Sequence, residues 1–264
     1  MQTAITIMGW NFAAVVAMMI IGWLFSLRYR NVTIVDSLWG LGFVLIVWIT
    51  FSLSEGFAGR KTLIAVLVTL WGMRLCLYLS KRNWGAAEDA RYGEWRKKSG
   101  DRFWFVSLFK VFLLQAIFMW IIAITLQFGQ LSTTPDHFVW LDALGVFIWV
   151  VGFLFEAVGD WQLARFKADP ANKGRVMDQG LWAYTRHPNY FGEFLIWWGF
   201  FLITLSTTNS WWTIISPLIV AAVLLKMTGI PLTENTIAKT RPGYDDYIKR
   251  TSSFVPWFPR KEVS

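Results

Sequence analysis

The stretch RHPNYFGEFLIWWGFFLITL, Arg186 to Leu205, begins as a polar turn and ends as an almost unbroken apolar run. Its apolar part, 191–206, falls short of the ~20 residues needed to cross ~30 Å of hydrocarbon at 1.5 Å per residue. To span a bilayer, this helix must start inside its polar half. Pro188 suits that start, because in the first turn of a helix its missing N–H costs nothing and its φ is already helical. A start in HPNYFGE points free backbone N–H groups at one membrane face, and such an end attracts anions. Asn189 and Glu193 are four apart and share one face of that turn, with Arg186 and His187 just before it.

Outward from this stretch, six more apolar runs occur, at 6–27, 34–54, 62–80, 106–128, 139–163 and 211–230. Composition agrees: 55% of the 264 residues are hydrophobic and 16% charged, where a soluble domain has about a quarter of its residues charged. The expectation is an all-α polytopic membrane protein of seven transmembrane helices, one integral-membrane domain over 1–264. The first run lacks a basic leader and a small-residue cleavage site, so it reads as a retained helix. Its place is the lipid bilayer, the inner membrane if the source is bacterial.

Lys and Arg concentrate in alternate connections. Arg28 and Arg30 lie in one, Lys81, Arg82, Arg91, Arg96, Lys97, Lys98 and Arg102 in the next, and Arg165, Lys167, Lys173, Arg175 and Arg186 in the third. The intervening connections hold only Arg60 and Lys61. The positive-inside rule then puts the N-terminus outside and the C-terminus in the cytosol, with Lys239, Arg241, Lys249, Arg250, Arg260 and Lys261 in the tail. The net charge of +8 follows from this orientation and implies no nucleic-acid partner.

Several chemistries are excluded. Cys76 is the sole cysteine, so there is no internal disulfide and no CxxC site. Of the two histidines, His137 falls in an outside loop and His187 on the inside, so they cannot share a metal, and no metal is expected. Neither GxGxxG nor GxxxxGK occurs, so a nucleotide would have to bind among the helices.

Ionisable groups inside spans cost ~2.5–3.5 kcal/mol each and call for a partner or a job. Asp36, Arg74, Glu156, Asp160, Glu193 and Lys226 stand out, and Lys226 is expected to serve only as structural glue in a pair or to snorkel to the interface. Glu156 and Asp160, four apart, share a helix face and need the donors that Arg165, Lys167, Lys173 and Arg175 can supply. An ion-pair cluster and a ligand site both satisfy that need. Trp71, Arg74 and Tyr78 line one stripe, and Asp36 on the preceding helix is a candidate partner for Arg74. The tail ENTIAKTRPGYDDYIKRTSSFVPWFP, Glu234 to Pro259, offers Arg241, Tyr244 and Tyr247 as anion partner and stacking surfaces. Its alternative role is an interfacial segment held by Trp257 and Phe258.

In order and spacing, VDSLWGLGF, WGMRLCLYLSKRNWG with EDARY, GDWQLARFK, GLWAYTRHPNYFGE and TRPGYDDYIKRTSSFVPWFP resemble the bacterial branch of the steroid 5α-reductase family. The resemblance runs from Val35 over most of the chain. It implies a seven-helix enzyme that holds NADPH in a helix cavity on the cytosolic side, the cofactor-binding half being about 139–264. The hydride goes to a hydrophobic enone, such as a 3-keto-Δ4 steroid. Carried over by position, Asp160, Asn189 and Glu193 match the cofactor pocket, and Arg165 and Lys167 match its phosphate contacts. Tyr184, Arg186, His187, Glu234, Tyr244 and Tyr247 are further contacts. At the substrate end Asp36 matches the acid that polarises the enone carbonyl, with Arg74 and Tyr78 on the neighbouring helix. Trp71 stands where eukaryotic members carry a tyrosine, which leaves a protonated Asp36 or Tyr78 as the carbonyl's donor.

Two rivals remain at this level. Isoprenylcysteine carboxyl methyltransferases share an RHP element and use S-adenosylmethionine, itself cationic at sulfur, whereas the phosphates of NADPH need the many cations found after Asp160. A lipid- or heme-handling scaffold would bind no nucleotide at all.

Overall fold

The computed structural model describes residues 3–227 and 229–260; Lys261 and Thr228 lie outside them. Among the described residues six helical runs are long and apolar enough to cross a membrane: Ala4–Tyr29, Ile34–Leu53, Ala58–Asn83, Ala90–Ile122, Trp140–Ala168 and Trp211–Thr240. This is a multi-pass, all-helical membrane protein. The helix of the opening stretch, Pro188–Leu205, has 18 residues and is not among the six. It begins at Pro188 and carries Asn189 and Glu193 in its first two turns.

The chain forms two compact units, one of residues 1–139 and 203–213, the other of 140–202 and 214–264. In the first, α1 (Ala4–Tyr29) is capped by the Thr3 hydroxyl, which accepts from the Thr6 N–H. It buries Ile7, Asn11, Val15, Met19, Gly22 and Ser26, a single stripe at helical spacing. Most of the rest of its surface is apolar and at least partly exposed, as lipid contact requires. Helices α2 (Ile34–Leu53) and α3 (Ala58–Asn83) form a hairpin in which Gly40 and Gly72 bring the two backbones together, and a Cβ on either would strike the other's carbonyl.

Polar pins tie these helices. Asn11 is wholly buried and its amide donates to Thr50 Oγ1 and Gln127 Oε1, both at 2.8 Å. Arg60, also wholly buried, donates to the carbonyls of Pro135 and His137 at 3.1 and 3.0 Å, which explains a cation in a connection otherwise poor in them.

The run after the α2–α3 hairpin is not the plain 106–128 span expected. It comprises α4 (Ala90–Ser99), a 3₁₀ turn, α5 (Phe103–Ser107), a π-turn at Leu108–Leu113, α6 (Leu114–Ile122) and α7 (Ile124–Leu131). A π-turn rotates the face that follows it.

In the second unit α8 (Trp140–Ala168) packs on α9 (Pro188–Leu205) along a seam of glycines. Gly145, Gly152 and Gly159 recur every seven residues on α8, and Gly192 and Gly199 do so on α9. A Cβ at Gly152 would lie 2.6 Å from Gly192 O, and one at Gly199 would lie 2.7 Å from Gly145 O. A seven-residue repeat keeps such a seam aligned along two gently supercoiled helices, and small residues let transmembrane helices approach closely. The unit continues through α10 (Ile215–Ala222), a π-turn at Val223–Met227 that carries Lys226, α11 (Ile230–Thr240) and α12 (Tyr244–Arg250).

Candidate functional site

Glu156 and Asp160 are both about 96% buried on α8, and the glycine seam sets what faces them. A Cβ at Gly159 would touch Pro188 and the Asn189 N–H at 3.2–3.4 Å, so the first turn of α9 abuts α8 beside Asp160. There Asn189 Nδ2 donates to Asp160 Oδ1 at 3.1 Å. Glu193 stands one turn further along α9 on the same face as Asn189.

Just before α9, Arg186 and His187 are buried and meet on one carboxylate. Arg186 Nε donates to Glu234 Oε1 at 2.8 Å, and His187 Nε2 lies 3.0 Å from the same oxygen. The other branch of the guanidinium, Nη1, donates to Ile248 O and Thr251 O, closing the C-terminus of α12. The His187 ring lies parallel to Tyr190 with centroids 5.3 Å apart. Arg186 is thus an internal fastener between 186–187, α11 and α12.

The tail also pairs with the chain ahead of α9. Arg186 N–H donates to Ser252 O, Trp257 N–H to Tyr184 O, and Thr185 Oγ1 to Phe254 O. Tyr184 is exposed, its ring edge-on to Phe258. Tyr247 is buried and its hydroxyl donates to Trp182 O, so it acts as a strut under the 180–184 turn. Tyr244 is buried beside it, and burial followed by the Glu234 charge pushes its hydroxyl up to about 12.

Six residues past Asp160, about 9 Å along the helix, a cavity of about 250 Å³ opens at the end of α8, lined by Lys167, Asp169, Asn172, Lys173 and Arg241 among others. Arg241 also donates to Arg175 O. Arg165 lies apart from this lining, its guanidinium 5.6 Å from the centre of the exposed Trp161 ring. The second unit therefore brings Asp160 to Asn189, Arg186 and His187 to Glu234, and Lys167 to Lys173 and Arg241.

In the first unit the Arg74 guanidinium is 5.9 Å from the Tyr78 ring centre. Asp36 has neighbours that its sequence context did not suggest. Its Oδ1 receives the Tyr92 hydroxyl at 3.5 Å, and its Oδ2 lies 3.8 Å from Arg82 Nη2. Tyr92 is 5% exposed and is delivered by EDARY. Glu88 takes Arg96 in a two-point pair at 2.7 and 2.8 Å and accepts the Val32 N–H. Asp89 caps α4 by accepting the Arg91 N–H, pairs with the Arg91 side chain, and donates its own N–H to Thr33 Oγ1. These bonds fasten 88–89 to 32–33, three residues before Asp36. Behind Tyr92, Gln115 Nε2 donates to its hydroxyl at 3.4 Å, and the Trp39 indole donates to Gln115 Oε1.

Among the described residues no group of three or more His, Cys, Asp or Glu could hold a metal ion. A family model described as "Protein of unknown function (DUF1295)" matches residues 22–251, most of the chain. The chain belongs to the DUF1295 family. That match takes in every candidate position from Asp36 to Tyr247. The DUF1295 chain is also similar to "Uncharacterized protein C594.04c" of Schizosaccharomyces pombe, 28% identical over 263 residues, which cover 89% of this chain and 75% of the relative. No solved structure matches it.

Tyr92 and Gln115 were not selected from sequence as site residues. EDARY was visible as a motif, but the link from Tyr92 to Asp36 spans 56 residues and two connections, which periodicity does not report.

Proposed function

We propose that this protein is a membrane-embedded, NADPH-dependent reductase of an enone lipid, with the Δ4 bond of a 3-ketosteroid as the representative substrate. The observation that carries the reading is the Asn189–Asp160 hydrogen bond at the start of α9, with a cation-lined cavity further along α8 in the same unit. The donor set suits the cofactor. Asn189 and Asp160 offer one donor-acceptor pair for a carboxamide or ribose, and Lys167, Lys173 and Arg241 offer charge for phosphates. The cavity is large enough for the phosphate end alone, since sites for whole ligands run to ~300–1,000 Å³. The ordered motif resemblance to steroid 5α-reductases supports the same reading.

When bound, NADPH supplies the hydride. The chain's own residues then have separate duties. Asp160, Asn189 and Glu193 orient the cofactor, Lys167 attracts its phosphates with Arg165 adding charge from outside the cavity, and buried Arg186, His187 and Glu234 hold the first turn of α9 in place. Tyr184, Tyr244 and Tyr247 shape the surrounding turn. In the first unit, Asp36 with Arg74 and Tyr78 forms the substrate end, where hydrogen-bond donors lower the cost of charge that develops on the enone oxygen.

The proposal includes α9 as a seventh span, starting at Pro188, with the N-terminus outside and the tail cytosolic. A cysteine at exposed Thr133 should label only from outside; labelling only from the cytosol overturns the orientation. For the cofactor, the test is equilibrium binding of NADPH, NADH and S-adenosylmethionine to the purified protein in lipid nanodiscs. The reading requires NADPH to bind best. Preference for S-adenosylmethionine would transfer the site to a methyltransferase.

A further inference from the structure

Four residues of the first unit form a hydrogen-bond relay with a fixed direction. An indole can only donate, so the Trp39–Gln115 bond fixes the Gln115 amide with its oxygen toward Trp39 and its nitrogen toward Tyr92. The Tyr92 hydroxyl must then accept from Gln115, which turns its own hydrogen the other way, toward Asp36 Oδ1. That last contact, 3.5 Å, is well beyond the 2.7–2.8 Å usual for O–H···O, so Tyr92 holds an aimed but loosely engaged hydrogen. The hydroxyl is also the end of a buried side chain on α4, whose start is tied to residues 32–33 through Glu88 and Asp89. A pre-aimed, desolvated donor with a weak partner is what stabilises an oxygen that gains negative charge.

We infer that Tyr92 is the hydrogen-bond donor to the substrate's carbonyl oxygen, aimed by Gln115 and Trp39, with Asp36 as its resting acceptor. This rests on the enone-reductase reading and names the donor within it. The hydroxyl keeps its proton throughout; only the acceptor changes, from Asp36 to the ligand oxygen.

The test uses a 3-keto-Δ4 steroid carrying ¹³C at its carbonyl, bound to the protein in nanodiscs and read by isotope-edited infrared spectroscopy, with NADPH binding measured in parallel. A hydrogen bond lowers the carbonyl stretch. The parent should show a lowered stretch. Tyr92→Phe should return it toward the value in apolar solvent and weaken steroid binding about 5-fold, with NADPH affinity unchanged. Gln115→Glu guards against simple misfolding: it keeps Tyr92 and the side-chain volume but turns an amide donor into a carboxylate that competes for the tyrosine's hydrogen, and the lowered stretch should be lost. A stretch equally lowered in parent, Tyr92→Phe and Gln115→Glu overturns this assignment while leaving the reductase reading intact. A parent that binds neither steroid nor NADPH overturns the reading and this inference with it.

Discussion

The side-chain amide of Asn189 donates to the carboxylate of Asp160 over 3.1 Å, tying the first turn of α9 to α8 where both helices are already held together by glycine. A hydrogen bond to a charged group contributes about 1.5–3 kcal/mol. If this pair orients the cofactor, Asn189→Ala should weaken NADPH binding on the order of 10- to 100-fold, with Glu193→Ala similar in direction. Isothermal titration measures this. Both variants binding NADPH like the parent would move the site elsewhere.

Arg186 is buried, and its charge is balanced by Glu234. Removing one partner of a buried pair costs about 3 kcal/mol or more, because the survivor is left uncompensated. Glu234→Ala should therefore lower the thermal midpoint clearly, and Glu234→Gln, which can still accept from Arg186, should lower it less. Equal midpoints for Glu234→Ala and the parent would show that the two carbonyls at the end of α12 suffice for Arg186.

Glu88 lies in the connection between α3 and α4. Burial alone would raise its carboxyl, but the Arg96 side chain and the Val32 N–H outweigh it, and the group sits below the usual carboxylate range. A carboxyl lowered by folding adds stability that is complete above its unfolded value, ~4.3 for Glu, and is lost as pH falls through its folded value. Hydrogen exchange over residues 84–96 should stay slow through neutral pH and accelerate only below the ordinary carboxylate range. Glu88→Gln should exchange faster already at neutral pH, with a flatter pH profile. A Glu88→Gln profile that matches the parent's would remove Glu88 from the clamp.

The glycine seam gives a steric prediction. At Gly152 a side chain meets the Gly192 carbonyl and the Ile196 N–H, both backbone groups that cannot turn aside. Gly152→Leu must separate α8 from α9, so it should abolish NADPH binding and cut the yield of folded protein. Gly93→Ala, where a Cβ meets nothing within 4 Å, is the control and should change neither. Normal binding by Gly152→Leu would show that the close approach is dispensable.

The helices were legible because crossing hydrocarbon demands long apolar runs, and Pro188 marked where the shortest one starts. The polar half of that helix was legible for the same reason: Asn189 and Glu193 have no place in a lipid-facing turn. The glycine seam was not legible, because a hydrophobic pattern scores Gly145, Gly152 and Gly159 as neutral although they decide which face of α8 meets α9. The relay behind Asp36 was hidden for another reason. Tyr92 and Gln115 reach it through tertiary folding of 88–115, where a 3₁₀ turn and a π-turn break the helical register. Trp257, expected with Phe258 as an interfacial anchor if the tail lies along the membrane, is exposed while its backbone pairs with Tyr184, a contact no local spacing foretells.

The most direct test of the central claim is turnover by the purified protein in nanodiscs with NADPH and a 3-keto-Δ4 steroid, following NADPH oxidation and the steroid product together. The account predicts NADPH consumed in step with loss of the enone double bond while the ketone is retained, and a loss of about 100-fold or more in Asp36→Leu with NADPH binding preserved. NADPH that binds but is never oxidised by any enone, or Asp36→Leu turning over like the parent, would contradict it.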